Sequence, residues 1–328
     1  MQHTSASVAV ITRDHDVTAD LVINELHRRE LPVARFDLAA FPERMRQTTR
    51  LTGENPRWDG SLRDAHREID VSALRSVWYR KPSGFLPHPE MTATERQWAA
   101  AEADNGFGGL LAALPEVHWV NHPHRNAAAE HKPHQLGAAA SCGLAVPDTL
   151  LTNDPEQARA FCDQHRDHGV VYKPLRGGPG IEHGRHVALW ADAVAAEEIT
   201  ESVARTTHLF QQRVPCAYPV RLTVVGSRMY AVRMDPPAGA TAIDWRTHPP
   251  EALSYTPIEV PPATSAGIHR LLEHFGLVYA AADLIVSPDE QWVFHGDLNP
   301  NGQWGWIAAH TGLPIAAAIA DELTEDRT

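Results

Sequence analysis

Residues 279–306 read YAAADLIV-SPDEQ-WVFHGDLNPNGQWGW. Two apolar runs, Tyr279–Val286 and Trp292–Leu298, flank the turn-rich Ser287-Pro288-Asp289-Glu290-Gln291 and so predict a β-hairpin. The first strand is apolar except for Asp283, and its partner leaves through Asp297-Leu298-Asn299. Side chains alternate along a strand, so Asp297 and Asn299 face one way. Asp283 joins that face only if the connecting loop is odd in length, spanning 288–290 or 287–291. Two carboxylates and an amide oxygen suit Mg²⁺, a hard ion that shares phosphate ligands. The alternative is that the acids are edge charges and Asn299-Pro300-Asn301-Gly302 an ordinary turn.

Upstream, residues 220–232 predict a second hairpin, VRLTVV-GS-RMYAV, in which Gly226-Ser227 suits a two-residue turn. A helix over Thr264–Phe275 is stopped by Gly276, and a last helix runs from Pro314 to about Leu323. At the other end, Ser7–Thr12, Ala19–Arg29 and Leu31–Phe36 form a βαβ opening. Its first turn, Arg13-Asp14-His15-Asp16, has no glycine, which excludes the dinucleotide fingerprint and leaves this layer as scaffold or substrate wall. Arg75–Arg80 is a strand, Glu95–Leu114 a helical stretch closed by Pro115, and Val117–Val120 a strand near which the first boundary falls.

The middle of the chain reads as a compact α+β unit over roughly 140–208. It is preceded by a helix over Ala127–Cys142 that Gly143 ends. A strand opens at Val146-Pro147, and Asn153-Asp154-Pro155-Glu156 starts a helix reaching about His165. Val170–Pro174, Glu182–Ala188 and Leu209–Val214 are strands, residues 176–180 a flexible loop, and Asp192–Ala204 a helix. The fold class is therefore α/β followed by α+β.

At 328 residues the chain is long enough for two or three domains, and 43% hydrophobic with 21% charged residues excludes disorder or a fibre. A net charge of −12 opposes general attraction to nucleic acid or anionic lipid, so any phosphate site must be local. The widely spaced Cys142, Cys162 and Cys216 make neither a disulfide framework nor a CxxC zinc pattern. Residues 1–10 lack the order of a signal peptide, and no run of about 18 apolar residues occurs. A cytoplasmic protein is expected, with no membrane partner.

Two lysines are placed to meet phosphates. Lys132 opens a helix and Lys173 ends a strand just before the backbone N–H groups of Gly177, Gly178 and Gly180. Taken singly, each is an ordinary surface lysine or glycine loop; their combination favours a nucleotide. Arg221 and the triplet Asp244-Trp245-Arg246 offer cations for a γ-phosphate or a carboxylate, or structural ion pairs. Arg233 falls on the face opposite Arg221. The histidines His122, His124, His131 and His134 carry no HExxH pattern, and neither a GxSxG elbow nor GxxxxGK[ST] occurs.

In this order the motifs resemble the ATP-grasp ribosomal peptide maturases, the macrocyclases of microviridin-type peptides. The matching pieces begin with residues 77–82 (VWYRKP), Asn121-His122-Pro123 and 131–136 (HKPHQL). They continue through 143–154, 171–175 (VYKPL), 210–214 (FQQRV), 221–226 (RLTVVG), Asp244-Trp245-Arg246 and 299–306 (NPNGQWGW). The resemblance implies an ATP-grasp fold with an N-terminal α/β domain over 1–118, a central lid over 119–208 and a C-terminal α+β domain over 209–328. It implies ATP and Mg²⁺ as cofactors. Lys132 and Lys173 would bind phosphates, with residues 210–214, Gln211, Gln212 and Val214 among them, against adenine and ribose. Asp283, Asp297 and Asn299 would hold the metal, and Arg221, Asp244 and Arg246 would serve the reacting centre. Two departures stand out: Gln212 where the family has glutamate in the hinge, and Asp297 where it has a metal-binding glutamate.

The implied reaction phosphorylates a side-chain carboxylate of a ribosomal precursor peptide (leader plus core), and a hydroxyl or amine of the same peptide then displaces phosphate to close an ester or amide ring. The resemblance also implies a homodimer. An ATP-grasp ligase joining small molecules and a non-catalytic nucleotide-binding module share these motifs. The second would be expected to have lost several of Arg221, Asp297 and Asn299.

Overall fold

The computed structural model describes residues 2–4, 7–54, 57–114, 116–176, 179–182, 185–188, 190–237, 245 and 249–325. The chain opens with β1 (Gln2–Thr4), β2 (Val8–Thr12), α1 (Val17–Arg28) and β3 (Val33–Phe36). Asp16 caps α1, accepting a hydrogen bond from Ala19 N at 3.2 Å. There follow β4 (Arg46–Arg50), β5 (Asp59–Arg63), β6 (Arg67–Asp70), β7 (Ser76–Lys81), α2 (Ala93–Ala103), α3 (Gly109–Ala112) and β8 (His118–Val120). Among the described residues, the parallel sheet has the order β3-β2-β7-β8, and β1-β6-β5-β4 form a separate sheet. The predicted βαβ opening is present. The β4–β6 region is an addition that no periodicity announced.

The central part holds α4 (Pro123–Ala129), α5 (Lys132–Ser141), β9 (Thr149–Thr152), α6 (Pro155–Gln164), β10 (Val170–Lys173), β11 (Pro179–Glu182), β12 (Arg185–Ala188), β13 (Asp192–Val194) and β14 (His208–Gln212). Two expectations are corrected here. The single helix over 127–142 is two, because Pro133 sits in the first turn of α5 and starts a new helix after Glu130-His131. The helix over 192–204 is absent: β13 pairs antiparallel with β10, and residues 196–198 and 201–205 are 3₁₀ turns. Local side chains take the backbone donors a helix would need. Asp192 accepts from Ala193 N at 2.8 Å, and Glu198 from Ala195 N at 2.8 Å.

The C-terminal part contains β15 (Tyr218–Val225), β16 (Arg228–Asp235), β17 (Ser254–Ile258), α7 (Pro262–Phe275), β18 (Tyr279–Val286), β19 (Trp292–Asn299), α8 (Gly305–Thr311) and α9 (Ile315–Thr324). Its sheet has the order β17-β16-β15-β18-β19. Val225 pairs with Arg228, giving the two-residue turn, with Gly226 at φ +56°. One face packs on α7 through Leu222, Val224, Ile268, Leu271 and Phe294. The other joins the N-terminal sheet to α8 and α9 through Trp78, Val10, Trp304, Ile307 and Ile319. No helix among the described residues is long and apolar enough to cross a membrane.

Candidate active site

The decisive hairpin forms with the odd loop. Val286 pairs with Trp292, leaving residues 287–291 between the strands. Beyond Leu284↔Phe294 the register shifts, and Ala282 pairs with Leu298, so His295, Gly296 and Asp297 bulge opposite Asp283. Gly296 lies at φ +86°, a conformation that disfavours any side chain, and a Cβ there would press Leu136 at 3.0 Å. The bulge brings His295 Nδ1 to 3.1 Å from Asp297 Oδ2, closer than alternate residues of a flat strand stand.

Asp297 is the centre of the site. Lys132, from the first turn of α5, donates to Oδ1 and also to Gly296 O at 3.2 Å. Lys173, from the end of β10, donates to Oδ2 at 2.9 Å and to His295 O at 2.7 Å, and lies 2.7 Å from His295 Nδ1. Burial alone would raise the Asp297 carboxyl; the Lys173 and Lys132 ammonium groups and the His295 hydrogen bond hold it well below the usual carboxylate range. Burial, then Lys173, push the His295 imidazole below its ordinary value.

On the neighbouring strands Arg221 and Asp283 stand directly opposite each other. Arg221 Nη1 donates to Asp283 Oδ1 at 2.7 Å, and Nη2 to Gln303 O at 3.1 Å, while its buried Nε has no hydrogen-bond partner. Gly302 makes room for this guanidinium, since a Cβ there would lie 2.9 Å from Nη2 and collide with Ala281. Asn299 pairs with Ala281 at the exit of β19, and its side chain makes no hydrogen bond among the described residues.

The nucleotide-side candidates lie on the adjoining sheet. Gln211 is buried and donates to Thr149 Oγ1 at 3.0 Å; Gln212 donates through its backbone N to Asp148 O at 2.8 Å, and Val214 follows half-buried. Gly180 falls within β11, paired with Val187, so residues 179–180 of the expected loop are strand. Gly177, Gly178, Asp244 and Arg246 lie outside the described residues. Thus Lys132, Lys173 and Asp297 are brought together, as are Arg221 and Asp283.

Two residues that support the site carried no assignment from sequence. Gln135, one turn after Lys132, accepts from Leu298 N at 2.9 Å and donates to Leu298 O at 2.8 Å, acting as a strand neighbour for the end of β19. Asn121 accepts from Val278 N and Tyr279 N at 2.7 and 2.8 Å and donates to Pro300 O at 3.1 Å. Both stood in the quoted motifs. Their signal was a carboxamide beside a helix start, which by itself reads only as a cap.

The donor set fits a hard cation. Among the described residues no three His, Cys, Asp or Glu side chains converge as a ready metal cluster. An ion at Asp283 and Asp297 would therefore complete its shell with the Asn299 amide oxygen, water and phosphate, the habit of Mg²⁺. A separate cleft of about 630 Å³ draws its lining from residues 14–67 alone and so lies in the N-terminal part.

Residues 7–127 match the family model described as the MvdD pre-ATP grasp domain. The macrocyclase MdnC of Microcystis aeruginosa, solved with its precursor peptide MdnA, is 27% identical with a TM-score of 0.83, over 96% of this chain and 98% of that one. A RiPP-associated ATP-grasp ligase of Chryseobacterium gregarium, solved with ADP and a leader and core peptide, is 26% identical with a TM-score of 0.87, over 96% of each chain. The macrocyclase MdnB of Microcystis aeruginosa is 25% identical with a TM-score of 0.79, over 97% and 98%. No curated protein sequence matches the chain. With a pre-ATP-grasp opening and a full-length likeness in agreement, this chain is similar in fold and sequence to the RiPP-associated ATP-grasp ligases.

Proposed function

We propose that the chain uses ATP to activate Asp or Glu side chains of a ribosomal precursor peptide and joins them to hydroxyl or amine groups of the same peptide. The observation that carries this reading is the buried Lys132–Asp297–Lys173 centre beside the Arg221–Asp283 pair, in a fold shared end to end with peptide macrocyclases. Lys132 and Lys173 are positioned to exchange the Asp297 carboxylate for nucleotide phosphates, as mobile point charges readily do. Residues 210–214 supply the strand against which adenine and ribose rest, and Gln212 offers the ribose a hydrogen bond without a charge.

Asp283, Asp297 and Asn299 would hold Mg²⁺, which when bound neutralises charge on the phosphates. Arg221, relieved of part of its bond to Asp283, faces the transferring phosphoryl group or the carboxylate that receives it. An oxygen of the substrate carboxylate takes the γ-phosphoryl group, releasing ADP. The substrate hydroxyl or amine then adds to the acyl carbon, loses its proton, and expels phosphate. Holding both groups on one chain lowers the entropic part of that barrier. Asp244 and Arg246 are assigned to the same reacting centre. The three cysteines are unpaired, in keeping with a reducing, cytoplasmic setting.

The test is incubation of the protein with ATP, Mg²⁺ and a precursor peptide encoded nearby, followed by intact mass. Successive losses of water, one per ring, support macrocyclisation. ATP turnover with free amino acids while the peptide stays unchanged would replace this reading with a small-molecule ligase. Nucleotide binding without turnover would make the chain a non-catalytic module.

A further inference from the structure

Strand β7 carries one residue more than its neighbour β2. Tyr79 pairs with Ile11 and Lys81 with Thr12, so Arg80 is the extra residue of a bulge at the carboxyl end of the parallel sheet. Bulges re-aim side chains, and this one turns two successive cations toward the same side. Lys81 takes the face of Thr12. Arg80 folds back over Trp78, with its guanidinium carbon 5.8 Å from the ring centroid, on the side where this sheet meets α8.

The two cations differ in what they bind. Arg80, fully buried, donates to Asn301 O and to Gln303 Oε1, the latter at 2.5 Å, and lies 3.7 Å from Asp16 Oδ2. It fastens the loop after Asn299 to the N-terminal sheet. Lys81 is half-buried; its carbonyl accepts from Arg13 N at 3.1 Å, while its ammonium has no carboxylate or hydrogen-bond partner among the described residues. Its charged neighbours are Arg80, Arg13, Arg221 and Asp16; burial, Arg80 and the other two arginines push its ammonium down to about 8, against the pull of Asp16. Asp16 is already engaged by Thr12 Oγ1 at 2.8 Å and by Ala19 N, and Asp283 by Arg221.

Four cations therefore meet two committed carboxylates in a chain whose net charge is −12. A partnerless, partly desolvated ammonium is costly, and such cost persists where a ligand relieves it. The place also suits a ligand, because crevices outside the carboxyl ends of parallel strands are where open α/β sheets bind them.

We propose that Lys81, with Arg13 beside it, receives an acidic side chain of the peptide substrate at the carboxyl end of the N-terminal sheet, next to the loop of residues 299–303 that Arg80 holds there. From there the carboxylate faces Arg221. This assignment rests on the function proposed above and adds the N-terminal sheet to the substrate-binding residues.

The experiment compares affinities of wild type, Lys81→Met and Lys81→Arg for the precursor peptide, and for the same peptide with its core Asp and Glu changed to Asn and Gln. Loss of Lys81 is expected to weaken the acidic peptide by about tenfold or more, the worth of a charge-assisted hydrogen bond. Lys81→Arg should retain affinity to within about threefold. The amide peptide should bind wild type and Lys81→Met alike, and the thermal midpoint of Lys81→Met at neutral pH should not fall. Equal affinity of wild type and Lys81→Met for the acidic peptide would overturn the assignment. So would an equal loss for the amide peptide. Wild type that neither binds nor modifies any peptide would instead remove the proposed function, and this assignment with it.

Discussion

Lys173 reaches Asp297 at 2.9 Å across 124 residues of sequence, so a strand of the central sheet and a bulge of the C-terminal sheet share one buried charge pair. With Lys132 on the other oxygen, one carboxylate is shared by two ammonium groups.

Asp297→Asn leaves both lysines without that partner. Breaking a buried pair costs about 3–5 kcal/mol, and Lys132 is only partly buried, so a loss of about 3 kcal/mol is expected in chemical denaturation. ADP should return part of it, because its phosphates replace the missing charge. Turnover should fall by at least about a hundredfold. Unchanged turnover would end the assignment of Asp297 to the metal.

The acid limb of stability should report the same carboxylate. Its folded pKa lies well below the ordinary value of 3.8, so its contribution is present above that value and is lost as pH falls toward the folded pKa. Urea titrations of wild type and Asp297→Asn should therefore differ by a constant amount between about pH 5 and 7 and converge in stronger acid.

Lys81 predicts an opposite limb. Its folded pKa of about 8 lies below the ordinary 10.5, so between these values the unfolded chain binds more protons and stability gains with rising pH. At pH 7 the full cost of the charge is present. Lys81→Met should match or exceed wild type in thermal midpoint at pH 7, with the difference shrinking above pH 8. Peptide binding by wild type should weaken through the same range while Lys81→Arg, with Arg13, Arg80, Arg221 and Asp16 unchanged around it, stays flat.

Gly302→Ala tests how tightly the arginine is fitted. The added methyl collides with Ala281 and lies 2.9 Å from Arg221 Nη2, so a loss of about 1–3 kcal/mol and a fall in kcat are expected. A variant as stable and active as wild type would show that the loop yields freely.

Gln135→Ala removes both partners of the Leu298 peptide groups in a buried setting. About 1–3 kcal/mol of destabilisation is expected from the unsatisfied groups, measurable by urea unfolding. Restoring a carboxamide with Gln135→Asn should recover little, since the shorter arm does not reach both atoms.

Much of this architecture was legible because the periodicities were clean. The Gly226-Ser227 turn and the stop of α7 at Gly276 each follow from local chemistry. The β4–β6 sheet was not, since Arg46-Gln47-Thr48-Thr49-Arg50 alternates only between exposed and half-buried positions and offers no apolar face to read. The region 192–205 misled for the opposite reason: its alanines favour helix, while pairing with β10 and local carboxylates decide otherwise. Within the site, the odd hairpin loop was one of the stated options. The bulges at Arg80 and at His295–Asp297 depend on which strand lies alongside, and a single strand's sequence does not encode its neighbour's register.

The placement of Lys173 has a mechanical side. Its ammonium is a latch: carried on β10, it is bolted to the His295 carbonyl and the Asp297 carboxylate of β19. An anion that takes over this ammonium also removes this tie between β10 and β19. Were the proposed nucleotide that anion, its binding and the release of this tie between β10 and β19 would be one event.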